Sequence, residues 1–121
     1  APVLSIVRLS QNGRFVALMT MRGREVGRQE RTAGVWWSES ADLLNWSPPR
    51  LLLAGSTFSA FVCDDGAVLA YPSLLDPTSP SRNFDVLASR PYLYVTRVLP
   101  KDCKLGTRRD LIRFPIRITL D

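Results

Sequence analysis

Near the end of the chain, Ile112, Phe114, Ile116, Ile118 and Leu120 alternate with Arg113, Pro115, Arg117 and Thr119. A period of two puts the apolar side chains on one face of an extended strand and the remainder on the other. A helix would need apolar positions repeating every 3.6 residues, and no segment of this chain carries that period. Pro115 has no N–H to give to a ladder, so the strand belongs at a sheet edge or carries a bulge.

The rest of the chain follows the same logic. Val3 to Ser10 reads as a strand, with Gln11-Asn12-Gly13 as its turn, because Asn-Gly accepts the positive φ angles of a type I′ hairpin. Phe15 to Met21 returns with large apolar side chains on both faces, which predicts a strand covered from two sides. Beyond a polar loop at 22–32, strands are expected at Gly34–Ser38 and, after Pro48-Pro49, at Leu51–Ala54. The plan recurs with Phe58–Val62, a turn at Asp64-Asp65-Gly66, Ala67–Tyr71, a Pro/Ser loop at 76–83, Tyr92–Val98, a basic loop at Lys101–Arg109 and the closing strand Leu111–Leu120. The expected fold is all-β and antiparallel, one unit over residues 1–121 built as about two blades of a β-propeller, 1–56 and 57–121. A small β-sandwich or barrel has the same strand spacing. No apolar run approaches the ~20 residues of a membrane-spanning helix, so no membrane is expected as partner. The first ten residues lack the layout of a signal peptide, and without an initiator Met the chain is expected to be a processed product or a segment.

The chain has no histidine. That excludes His-based acid–base chemistry, Ser-His-Asp and Cys-His nucleophile systems, and the commonest metal ligand. Cys63 and Cys103 are not spaced as C-x-x-C, and neither a metal nor a cofactor is expected. Cys63 ends an apolar run and reads as a buried free thiol. A Cys63–Cys103 disulfide is the alternative, requiring an oxidising compartment and Cα atoms within ~7 Å. Sixteen Lys and Arg against eleven Asp and Glu leave a net charge of +5. The basic residues form two groups, Arg22, Arg24, Arg28 and Arg31, then Lys101, Lys104, Arg108 and Arg109. Acids stand among both, so they read as solvated loops rather than a phosphate-binding surface.

Two stretches carry a family resemblance. Ser38-Glu39-Ser40-Ala41-Asp42-Leu43-Leu44-Asn45-Trp46, followed by Ser47-Pro48-Pro49, resembles the S-x-D-L-x-x-W turn of five-bladed β-propeller glycosidases, the arabinanase, xylosidase and invertase-like group. It is akin to the Asp box of sialidases, with different spacing and without that motif's Gly and Thr. In such a turn the carboxylate accepts backbone N–H groups while the Trp wedges between strands, so Asp42 is a fold marker and not a catalytic acid. The second stretch is Ala70-Tyr71-Pro72-Ser73-Leu74-Leu75-Asp76-Pro77, Asn83-Phe84, Pro91 to Arg97 and Arg109 to Ile116. It is similar to the last blades of glycosyl-hydrolase-like propellers, where Y-P-S-L-L-D, Y-L-Y-x-T-R and R-D-L-x-R-x-P-I strands follow one another.

The resemblance implies a glycoside-hydrolase-like propeller segment that acts on or binds carbohydrate, with a leaning toward secreted or periplasmic proteins. In the resembled enzymes the catalytic carboxylates come mostly from blades this chain does not supply, and hydrolysis needs two of them ~5–10 Å apart. No catalytic residue is therefore assigned. Tyr71, Ser73, Tyr94 and Arg97 are expected to line a central channel that binds sugar. The competing reading packs the tyrosines between blades and pairs Arg97 with Asp76 or Asp85. Trp36 and Trp37 are adjacent and point to opposite faces, one into the core and the other, taken as Trp37, toward substrate as a sugar platform. Arg82-Asn83 reads as turn chemistry.

Two other function classes stay open. A stand-alone carbohydrate-binding or oligomeric assembly module would cover the apolar faces that two isolated blades expose, by self-association or against a missing propeller segment. A basic nucleic-acid-binding β-barrel would need Arg interleaved with exposed aromatics on one sheet face. Arg113 and Arg117 make such a stripe, but their face of the strand holds no aromatic interleaved with them, so nucleic acid is not the expected partner.

Overall fold

The computed structural model describes residues 3–61, 66–80, 85–88 and 90–118, and among them it is all-β. Strands β1 (Val3–Leu9), β2 (Phe15–Gly23), β3 (Thr32–Ser40) and β4 (Arg50–Ala54) form an antiparallel meander in chain order. β5 (Val68–Leu75), β7 (Tyr92–Lys101) and β8 (Lys104–Pro115) form a second antiparallel sheet in the order β5-β7-β8. The two-residue β6 (Val86–Leu87) crosses back to pair in parallel with β1, making the first sheet five-stranded. Two backbone hydrogen bonds hold that crossing, Arg8 N to Asp85 O at 2.9 Å and Ser10 N to Leu87 O at 2.8 Å. Leu87 is fully buried there, so the connection between β5 and β7 is clasped to the edge of the first sheet.

The sheets pack face to face. Val7, Leu9, Val16, Leu18 and Val35 from the first meet Leu69, Leu74, Leu93 and Val95 from the second in one core. Burial of each such side chain contributes roughly 1.5–3 kcal/mol. The backbones come closest along β5, which neighbours β1, β2 and β3. β2 is apolar on both sides because it is covered twice. Val16 and Leu18 face the second sheet, whereas Ala17 and Met19 face outward under Trp36, Trp46 and Leu51. β8 lies at an edge and ends at Pro115, short of the expected Leu111–Leu120 strand; Ile112 and Phe114 on it, and Ile116 and Ile118 beyond it, are half-buried against the core, with Arg113 and Arg117 exposed.

Three local expectations are corrected. The β1–β2 hairpin forms, but Leu9 O accepts Gly13 N at 2.9 Å and only Gly13, at φ 71°, takes a positive φ. The Asn12 side chain instead accepts the Arg14 N–H at 3.0 Å, so the turn is wider than type I′. Residues 101–109 are not a loop: Asp102 and Cys103, at φ 51° and 62°, make a two-residue turn and β8 begins at Lys104. Two successive positive φ angles are the type I′ geometry, ordinarily marked by Asn and Gly, and neither is present to announce it. Through Phe61 the predicted strand 58–62 is absent; Ser56 bridges Val68, Thr57 bridges Ala60, and a turn separates them. Val62, the Asp64-Asp65 turn, Arg82-Asn83, Thr119 and Leu120 lie outside the described residues.

Candidate functional site

The first motif is a turn built around one carboxylate. Asp42 Oδ1 accepts the N–H groups of Leu44 at 2.9 Å and Asn45 at 2.8 Å, and Oδ2 accepts the Asn45 amide at 2.8 Å. Ser40 donates its hydroxyl to Oδ1 and accepts the Leu43 N–H at 2.9 Å, where Leu43 sits at φ 66°. The Asn45 backbone donor, with the other donors behind it, holds the Asp42 carboxyl far below the usual range. Four donors hold it in the turn, and so strongly depressed a pKa makes it a poor acceptor for a substrate proton. Trp46 donates to Leu43 O at 3.1 Å and lays its ring over the outer face of the first sheet.

Asp76 is similarly engaged. It is only 5% exposed and accepts Thr78 Oγ1 at 2.6 Å, Thr78 N at 2.9 Å and Ala88 N at 3.2 Å. The Thr78 hydroxyl is the chief reason its carboxyl is held below the ordinary value. Glu25 and Glu30 make no ion pair among the described residues, whereas Glu39 pairs with Arg14 at 3.6 Å.

The five expected binding residues divide into three places. Ser73 and Tyr94 are directly opposed on β5 and β7, and Arg113 is opposite Tyr94 on β8. Cross-strand partners share a face, so Ser73, Tyr94 and Arg113 form a row on the outside of the second sheet. Arg113 donates to the Tyr94 hydroxyl at 3.3 Å and lies 4.1 Å from the centre of the Tyr92 ring, which meets Tyr94 edge-on at 6.3 Å. The Tyr94 oxygen beside it raises the Arg113 pKa further, keeping the guanidinium charged.

Tyr71 does not continue the row. Between Ala70 and Ser73 the β5–β7 register slips, and Tyr71 takes a φ of 51° within that bulge. Tyr71 is 58% exposed, and its ring meets Phe58 edge-on at 6.0 Å. Pro72, which cannot donate to a ladder, sits beside it, as expected at a bulge on an edge strand.

Arg97 is three residues from Tyr94, and an odd spacing on a strand means opposite faces. Its guanidinium forms a two-pronged pair with Asp110 on β8, one prong at 2.9 Å. Neither Asp76 nor Asp85 is that partner. Trp37 lies in the first sheet, half-buried on the side facing the second, with the Arg50 guanidinium 5.3 Å from its ring centre. A channel lined jointly by Tyr71, Ser73, Tyr94 and Arg97 is therefore not formed. Tyr92, two residues from Tyr94 on β7, shares its face by strand period alone, whereas Arg113 was hidden from strand-by-strand reading because it joins Tyr94 only through β7–β8 pairing.

Among the described residues no three His, Cys, Asp or Glu side chains gather as a metal site, and no helix is long and apolar enough to cross a membrane. Cys103 is disulfide-bonded and Cys63, the chain's other cysteine, lies outside the described residues. The free-thiol reading of Cys63 falls outside them with that residue. Comparisons with protein families, curated proteins and solved structures find no match. A functional reading therefore rests on the chain's own geometry.

Proposed function

We propose that this chain binds carbohydrate through the outer face of its second sheet, as two successive blade-like sheets of a glycoside-hydrolase-like propeller. The row Ser73–Tyr94–Arg113, extended by Tyr92, carries the reading. Sugars are held by C–H groups on aromatic rings and hydroxyls on directional donors, and this face offers both in fixed positions. Arg113 is pinned by Tyr92 and Tyr94, which lowers the entropy lost when it binds. No carboxylate stands in the row, so recognition rather than hydrolysis is assigned to it. The disulfide at Cys103 suits an oxidising compartment.

The test is titration calorimetry against neutral and acidic oligosaccharides at low and high salt. Binding that survives high salt and disappears in Tyr94→Ala supports the reading. Tyr92 and Tyr94 also supply aromatics beside Arg113 that β8 alone lacks. Binding of single-stranded oligonucleotide that collapses with salt would therefore replace carbohydrate by nucleic acid.

Self-association is a second reading with its own observation. Leu4 and Ile6 face outward from β1 at 42% and 47% exposure. Native mass spectrometry should find assemblies of the 13.6 kDa chain, and Ile6→Lys should dissociate them. A monomer at micromolar concentration would sink this reading.

A further inference from the structure

A cleft opens between the two sheets beside the C-terminal end of β5. Its volume is about 360 Å³, within the ~300–1,000 Å³ of small-molecule sites. Trp37 and Leu52 form one wall, Leu74 and Ile116 the other. Three charged side chains also line it: Glu39, Arg50 and Arg117. Glu39 is engaged by Arg14 from outside the lining at 3.6 Å, and with Arg50 and Arg117 the lining carries one positive charge in excess. Arg50 is steadied against the Trp37 ring at 5.3 Å.

We infer that this cleft binds a small amphipathic carboxylate, its apolar body between Trp37 and Ile116 and its anionic end on Arg50 and Arg117. An apolar slot alone would take any hydrocarbon of suitable size. The lining guanidinium groups select the anion, because a carboxylate meets Arg in a bidentate, charge-assisted pair that an alcohol cannot form. The lining is mostly apolar, so a sugar with hydroxyls on every side would lose more hydration than it regained. The site is distinct in place and chemistry from the tyrosine–arginine row, and each can fail without the other.

The probe is octanoate below its micelle concentration, with octanol as its neutral counterpart, followed by amide and indole chemical shifts. Octanoate should shift Trp37, Leu52 and Ile116 saturably. Octanol should bind about tenfold more weakly, and Arg117→Gln, an exposed position, should weaken octanoate by about tenfold while leaving octanol unchanged. Trp37→Ala should weaken both, with circular dichroism confirming the fold. Equal affinity for octanoate and octanol, saturation at other residues, or no saturable shift would each overturn the inference.

Discussion

Asp42 and Asn45 are joined twice, backbone N–H to Oδ1 and side-chain amide to Oδ2, each at 2.8 Å. The double link closes the turn that carries Trp46 onto the outer face of the first sheet. Asp42→Ala removes the acceptor for four donors at once, so it should lower the melting temperature and speed amide exchange at Leu44 and Asn45. Asp42→Asn keeps one acceptor oxygen and should fall between the two. Unchanged exchange in Asp42→Ala would show that the turn is held by its flanking strands alone.

Acid should unfold this protein through its carboxylates. Asp42, Asp76 and Asp110 all have folded-state pKa values below the ordinary one, the last chiefly through its hydrogen bonds from Arg97. A depressed pKa means that the unfolded chain binds protons first. The stabilisation is present above the unfolded Asp value of ~3.9 and is lost as pH falls through the folded values. Urea midpoints should stay level from neutral pH to about 4 and then drop. Asp76→Asn should flatten part of that acid limb and cost about 1–3 kcal/mol at neutral pH, because a buried acceptor site is lost.

Gly34 faces the β4 backbone so closely that an added Cβ would collide with the carbonyl of Leu53. Backbone cannot swing aside as a side chain can. Gly34→Ala should therefore destabilise by about 1–3 kcal/mol. Gly106→Ala, where a Cβ meets open space, is the control. Equal urea midpoints for the two variants would refute the close approach.

The β7–β8 hairpin turns on Asp102 and the disulfide-bonded Cys103, both at positive φ. Cysteine has no side-chain acceptor to favour that conformation, so the cross-link and the long ladder beyond it must hold the turn. Reduction should lower stability by about 2–5 kcal/mol, as for native disulfides in small domains. Loss of amide protection should begin at Lys101 and Lys104, the last pair before the turn. A reduced protein with the oxidised protein's unfolding curve would contradict this.

Local chemistry by itself determined the strand class. Alternation along Ile112–Ile118, apolar side chains on both faces of Phe15–Met21 and a proline in the last strand dictate extended, edge-placed or doubly covered segments wherever they pack. The Ser40–Asp42–Trp46 turn was equally legible, since its hydrogen bonds close within a few residues. The odd spacing of Tyr94 and Arg97 already separated them onto opposite faces.

What tertiary structure alone decided is which of these strands lie side by side and in what register. Arg113 meets Tyr94, and Asp110 meets Arg97, only because β7 and β8 pair across a two-residue turn at Asp102-Cys103, which lacks the glycine that marks type I′. Tyr71 leaves the row through a single slipped residue at the β5 bulge. Trp37 and Ile116 line one cleft only because the two sheets meet along β5. Register and sheet packing are sums of many weak long-range contacts, and no short window of sequence contains them.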